Sequence, residues 1–396
     1  MKKNKEYRIA IVIKSLHVGG AEIFAVRLAK ALTFYNDNCK VYLINLSYKG
    51  INSKELSIGV LPKELVFIDF GKNILLRLLN VLPNQLYVFF NFFIDHIRKF
   101  FLKSILIREK IDIVNSHLMA ADTLCARALK NISIRFVISM HGSYESNFGL
   151  NVNKRKKTLN RADAIVIASE KNLKFLEWFD TFDKPIFKIY YGFQNPIDSN
   201  RIKRSDLGLG EEEIGFIMVA RGDKSKGWAV AYDAFLKLYD KSKNIFLLLI
   251  GEGEVLEELK KKNKCSKVIF LGYQSDPIKY LMISDVGLLP TSFKGESLPN
   301  SIIEYLSAGL SVISTRIGDI PNMLLANNNE VAGDLLEFDE KGMVCVDSLQ
   351  NSMEKNLDKN WLLEKKTCAR EAFKKFSMKH CLENYMNTFL GNHSNM

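Results

Sequence analysis

The sequence predicts an α/β protein of two domains, each a mostly parallel sheet with helices on both faces. Three observations predict it. Apolar runs rich in Ile, Val and Leu alternate with helical patterns in both halves of the chain, the order of elements that builds parallel sheets. At 396 residues the chain exceeds the size at which a single core keeps growing. The alternation weakens once between the halves, in NPIDSNRIKR at residues 195–204, where Pro and polar residues separate two strand-like runs and a linker fits.

The first series opens with a buried strand over residues 7–13, then HVGGAE, then a helical pattern over 23–32. Strand, glycine turn, helix is the start of a nucleotide-binding α/β unit. Gly19 and Gly20 would let backbone approach an anion closely, although a tight structural turn is equally compatible. Further strands are expected over 41–46, 66–69, 111–115, 136–140, 164–168 and 186–191. Ligands of such sheets bind beyond the C-terminal strand ends, where His117 (NSHLMA) and His141 (SMHGSY) stand. A single His there is usually a satisfied loop residue, but two at equivalent ends favour a site. His141 is preferred because Gly142 opens space beside it, and His117 is second.

Residues 74–107 form the most aromatic segment. Its uncharged part, residues 78–94, is interrupted by Asn80, Pro83, Asn84, Gln85 and Asn91 and is short for a membrane span. After Pro83, apolar residues alternate with Arg98, Lys99 and Lys103. That pattern fits a helix lying in a membrane surface, and equally a helix packed on the sheet with a basic outer face.

The second series has strands over 214–220, 245–250, 268–271, 286–289 and 311–315, with helices over 228–239, 255–262 and from Pro277. After its first strand, ARGDKSKGWAV places Arg221 and Lys226 on a strand-to-helix turn, where two cations could neutralise a diphosphate. Gly251 and Gly253 permit a close turn after the second strand. TSFKGESLPNSIIEYLSAG, residues 291–309, sets Glu296 and Glu304 on either side of a helix start, with Pro299 read as the first helical position and Gly309 as the left-handed cap. The N–H groups of Asn300 and Ser301 would face an anion while the carboxylates take hydroxyls. A chance pairing of two glutamates is equally compatible with this stretch alone.

Composition narrows the functional classes. With 47% apolar and 25% charged residues the chain can bury sizeable cores. A net charge of +12 favours an anionic partner: nucleic acid, anionic lipid or a phosphorylated substrate. No helix-turn-helix, zinc or RNA-binding signature is present, and the acidic pair would repel a polyanion, so a nucleic-acid partner is not expected. Six scattered cysteines without a C-x-x-C pair read as reduced thiols of a cytosolic protein. The basic start and short apolar run of MKKNKEYRIAIVIKS read as a strand, not a signal peptide.

GGAE at Gly19, HG at His141, ADAIVIASE at Ala162, R-x-x-x-x-K-G from Arg221, GEG at Gly251, ISDVGLLPT before Thr291 and the Glu296 to Glu304 pair follow one another as in glycosyltransferase family 4, which the chain resembles over nearly its whole length. The resemblance implies a GT-B enzyme, two Rossmann-like domains facing a cleft: residues 1–195 on the acceptor side, 196–378 on the nucleotide-sugar side, and a C-terminal helix, 379–396, returning to the first domain. It implies sugar transfer with retention and without an essential metal, and no cofactor besides the nucleotide-sugar co-substrate; no Asp-x-Asp pair of the metal-dependent kind is present. By the same resemblance Arg221 and Lys226 bind the diphosphate, Glu296 the sugar hydroxyls and Glu304 the ribose. Gly20 and the amides after Pro299 complete the anion pocket, and His141 orients the donor. The acceptor implied is an undecaprenyl-linked or other glycan, reached by peripheral contact with an anionic membrane at the cytoplasmic face. Ser297, Asn322 and Tyr191-Gly192 depart from the usual pattern and leave donor identity open. The alternatives are a non-catalytic membrane or nucleic-acid binder on the same fold and, more remotely, a GT-B epimerase or phosphorylase.

Overall fold

The structure, a computed structural model, describes residues 6–16, 20–35, 38–47, 61–72, 84–141, 152–177, 184–194 and 202–392. Two units divide the chain: Met1–Gly192 together with Met378–Met396, and Phe193–Ser377. The first carries strands β1 (Tyr7–Ile13), β2 (Cys39–Asn45), β3 (Val66–Asp69), β4 (Ile113–His117), β5 (Arg135–Met140), β6 (Ala164–Ile167) and β7 (Ile186–Lys188). They form one parallel sheet in the order β3-β2-β1-β4-β5-β6-β7.

Its strands are apolar on both sides because both faces are covered. Ala10, Val12, Tyr42, Ile44, Val114, Phe136 and Ile138 share a core with Leu102 and Leu106 of α2 (Asn84–Arg108), Leu124 of α3 (Met119–Ala128), Leu159 of α4 (Val152–Arg161) and Phe175 of α5 (Glu170–Glu177). The alternate residues Ile9, Ile11, Val41, Leu43 and Val137 are buried too. They lie under α1 (Gly20–Tyr35) and the C-terminal helix (Met378–Leu390), where the rings of Phe24 and Tyr385 are 6.0 Å apart.

Sequence periodicity found these elements with shifted ends. α1 begins at Gly20 rather than 23, so that glycine opens the helix. The strand expected from 111 begins at Ile113, since the N–H of Ile111 turns back to the Leu106 carbonyl at the end of α2. Gly19 and Gly142, with residues 74–83 and 195–201, lie outside the described residues.

From residue 94 onward α2 packs on the sheet, with Ile94, Leu102 and Leu106 buried. Its outer face carries Ile97, Phe100 and Ile107, exposed by 36%, 67% and 55%, with Lys99 and Lys103 half-buried alongside. The packed helix expected from the sequence is thus present from residue 94 onward, with apolar and basic residues on its outer face. Among the described residues no helix is long and apolar enough to cross a membrane.

The second unit has strands β8 (Ile214–Val219), β9 (Ile245–Ile250), β10 (Val268–Gly272), β11 (Val286–Leu289), β12 (Ser311–Thr315) and β13 (Gly333–Leu336), parallel in the order β10-β9-β8-β11-β12-β13. Helices α6 (Trp228–Lys241), α7 (Glu254–Lys262), α8 (Ile278–Leu281), α9 (Asn300–Ser307), α10 (Ile320–Leu324), α11 (Val346–Lys355) and α12 (Lys359–Phe373) cover it. The pattern did not reveal β13: GDLL is short, and its glycine lies against the Val312 backbone, where a Cβ would collide. Asp285, at the N-terminal end of β11, ties this side of the sheet together. It pairs with Arg204 (2.7 Å) and Lys366 (2.9 Å) and accepts from the Gly215 N–H (3.0 Å).

Candidate active site

In the second unit β8 and β11 are neighbours although β9 and β10 separate them in sequence, so the strand order reverses between them. Such a reversal opens a crevice beyond the C-terminal strand ends. The turns around this edge touch through backbone. The N–H of Gly222, after β8, donates to the Glu252 carbonyl after β9 (2.9 Å), and a Cβ on Gly222 would lie 2.6 Å from Gly253. Gly227, at φ +86°, meets the Pro290 carbonyl, and Gly318, after β12, meets the carbonyls of Glu296 and Ser297. No side chain fits at any of these contacts. Gly251 is equally tight against the Ala220 carbonyl.

This frame joins two residues 70 positions apart. Lys226 Nζ lies 2.5 Å from Glu296 Oε2, and each residue is only 8% exposed. The Phe293 ring centroid is 4.9 Å from the same ammonium, and Thr291 Oγ1 is 3.4 Å from the same carboxylate oxygen. Sequence reading missed Thr291 and Phe293, although both stand inside the stretch it singled out. Arg221, expected to act with Lys226, has a side chain 74% exposed and paired with Asp223 at 3.2 Å.

Pro299 is corrected by one position. Its ψ of 123° is extended, which makes it the N-cap and Asn300 the first helical residue of α9. A proline φ of −68° suits either place, and the ψ decides. Asn300 and Ser301 thus open the helix, half-buried, with Glu304 half-buried one turn on. Gly309, at φ +70°, ends it in the left-handed conformation expected. Tyr305 holds the crevice from beneath: its hydroxyl accepts from the Val219 N–H (2.7 Å) and donates to the Leu288 carbonyl (3.1 Å), bridging β8 and β11.

In the first unit the reversal lies between β1 and β4, where Ile13 is in register with His117. Gly20 is exposed at the start of α1. The two histidines taken as separate site candidates belong to one buried chain. Asn115 donates its amide to the Val137 carbonyl (3.1 Å) and Ser139 Oγ (3.0 Å), which turns its oxygen toward His117 Nε2 (2.8 Å). His117 Nε2 therefore carries the proton, its Nδ1 accepts from His141 Nε2–H (2.9 Å), and His141 Nδ1 accepts from the Tyr191 hydroxyl (2.6 Å). Ser139 Oγ also lies 3.0 Å from the Tyr385 hydroxyl, and Phe24 stacks on Tyr191 at 4.5 Å.

His141, expected to orient the donor, is 3% exposed and has both ring nitrogens engaged within the unit. His117, the acceptor-side candidate, is fully buried. Burial pushes the His141 pKa down to about 3, and burial with His141 alongside holds that of His117 well below the ordinary 6.5. Both are neutral in the folded protein. An unfolded chain takes up these protons below pH 6.5 whereas the fold does not, so the stability due to the pair is complete above that pH and declines as pH falls from 6.5 toward 3. His141 contributes a slope of about 1.4 kcal/mol per pH unit in that window, and His117 acts in the same direction. Urea unfolding at pH 7 and pH 5 is expected to show a larger loss in the wild-type protein than in His141→Gln; equal losses would contradict the neutral chain.

Comparison with known proteins follows these two sheets. Residues 18–193 match the family model described as Glycosyltransferase Family 4, and residues 213–343 match that for Glycosyl transferases group 1. N-acetyl-alpha-D-glucosaminyl L-malate synthase of Bacillus anthracis is 25% identical over 64% of this chain and 68% of its own length. A Campylobacter jejuni relative, N-acetylgalactosamine-N,N'-diacetylbacillosaminyl-diphospho-undecaprenol 4-alpha-N-acetylgalactosaminyltransferase, is 29% identical over 53% of this chain and 54% of its own. The chain spans 42% to 68% of the length of the curated relatives it matches. A glycosyltransferase structure from Rickettsia africae superposes over 100% of both chains with a TM-score of 0.71 at 20% identity, which places the fold in the GT-B class. Two parallel Rossmann-like sheets carry the motif series noted in the sequence, the first matched by the Glycosyltransferase Family 4 model and the second by the Glycosyl transferases group 1 model: the chain is a glycosyltransferase of the family 4, GT-B type.

Proposed function

We propose that this protein transfers a sugar, with retention at the anomeric carbon and without a metal or other cofactor, from a nucleotide-sugar to a lipid-linked glycan in surface polysaccharide synthesis. The observation that carries the reading is the Lys226–Glu296 pair beside the start of α9, a cation, a carboxylate and helix N–H groups gathered at one crevice. The bond from the anomeric carbon to the diphosphate breaks as the acceptor oxygen bonds to the same face of that carbon. Lys226, Arg221 and the first N–H groups of α9 stabilise the charge growing on the diphosphate, and a diphosphate oxygen takes the acceptor's proton. Glu296 accepts from sugar hydroxyls and Glu304 from the ribose. His141 and His117 act from within the first unit by fixing the C-terminal ends of β4 and β5. Within the first unit, Gly20 at the start of α1 leaves backbone open to an anion.

The undecaprenol in the Campylobacter relative's name supports a polyprenyl-diphosphate acceptor. Incubation with UDP-, GDP- and dTDP-sugars and a polyprenyl-diphosphate glycan is expected to yield one product whose new linkage keeps the donor's anomeric configuration, with added chelator making no difference. An inverted linkage or loss of rate with chelator would contradict the mechanism, and no transfer from any donor would contradict the function.

Membrane contact belongs to the same proposal. Ile97, Phe100 and Ile107 present apolar surface with Lys99 and Lys103 beside it, the pattern of a helix held at an anionic lipid surface. Binding to phosphatidylglycerol vesicles should weaken with salt and drop several-fold in both Phe100→Ser and Lys99→Glu. Binding unchanged in both variants would leave the outer face of α2 without this role.

A further inference from the structure

We infer that the Lys226–Glu296 pair works as a product-release latch, re-forming when the sugar has gone and expelling the nucleoside diphosphate. The inference rests on the proposed donor site and concerns how its two halves are coupled. The two groups are 2.5 Å apart, their side chains 9% and 10% exposed, with the Phe293 ring over the ammonium and the Thr291 hydroxyl by the carboxylate. A buried pair of this kind cannot lose one member without leaving the other as an uncompensated charge. A diphosphate that draws the ammonium away therefore strands Glu296 unless a new donor reaches it.

A nucleotide-sugar brings that donor, because its hydroxyls can give hydrogen bonds to Glu296 while its diphosphate takes Lys226. A nucleoside diphosphate alone brings only the anion. Substrate thus satisfies both ends of the broken pair, whereas product satisfies one. Transfer of the sugar to the acceptor removes the group that held Glu296, and the carboxylate returns to Lys226 in competition with the diphosphate. The same residues that hold the donor weaken the hold on what remains of it.

The sign of one substitution separates this from a static binding role. In Glu296→Gln no charge is stranded, so UDP, GDP or dTDP, whichever the wild-type protein binds, should bind about tenfold more tightly. The advantage of the corresponding nucleotide-sugar over the diphosphate should largely vanish. In a Lys226→Met background the further Glu296→Gln change should not tighten the diphosphate, since the competition is already gone. This double variant replaces a buried ion pair by neutral groups of similar volume and serves as the folded control. Titration calorimetry reads all four proteins. Unchanged or weaker diphosphate binding in Glu296→Gln, or tightening that persists in the Lys226→Met background, overturns the latch. A wild-type protein that binds none of the three diphosphates overturns the donor site, and the latch with it.

Discussion

Lys226→Met is expected to lower the rate of sugar transfer by about 10²- to 10³-fold, the loss typical of removing one group aimed at charge that develops in a transition state. Lys226 is the buried cation at the second unit's crevice, fixed by a partner and an aromatic ring rather than swinging in solvent. Arg221, mostly exposed and paired with Asp223, should cost less when removed. The loss should fall on kcat and kcat/KM together, because the charge Lys226 meets is greatest as the sugar departs. Since Met leaves Glu296 without its partner, the melting temperature of Lys226→Met must be compared with that of Lys226→Met with Glu296→Gln. A double variant that is stable yet equally slow assigns the loss to chemistry, and one with wild-type transfer would refute the mechanism.

Arg204→Ala is expected to destabilise the second unit by about 1–3 kcal/mol, because three backbone carbonyls lose their donor while Lys366 still holds the Asp285 carboxylate. Arg204 and Asp285 side chains are 13% and 15% exposed. The guanidinium also donates to the carbonyls of Ile283 (2.9 Å), Glu211 (2.6 Å) and Glu213 (2.6 Å), and it lies 5.4 Å from the Phe246 ring. Lys cannot reproduce that fork, so Arg204→Lys should rescue little. Urea unfolding followed by the fluorescence of Trp228 and Trp361 in a Trp178→Phe background reads this unit, and an unshifted midpoint would show the contacts to be dispensable.

How much of this was legible follows from the range over which each feature is determined. Strands such as β9 and β11 are continuous apolar runs, and their bounds were read to the residue. Lys226 and Glu296 were each visible as chemistry at a strand end, but their union depends on two turns that meet only after the sheet has assembled. The hydrogen-bond chain through His117, His141 and Tyr191 was hidden for the same reason: residues 24 and 50 positions apart leave no local pattern. Asp285 was visible inside ISDVGLLPT as part of a motif, yet its role is structural and lies at the opposite strand ends from the crevice. Pro299 was misplaced by one residue because its ring dictates φ while the helix boundary depends on ψ.

The turns of the second unit that meet backbone to backbone also bear on redesign. Gly222, Gly227, Gly251, Gly253 and Gly318 form a scaffold with no room for mutation, so a library that randomises them would mostly sample unfolded protein. Variety has to enter through the side chains this scaffold presents. Phe293, Ser297, Leu298 and Asn300 are the positions at which a screen for altered donor choice should begin, with the five glycines held constant.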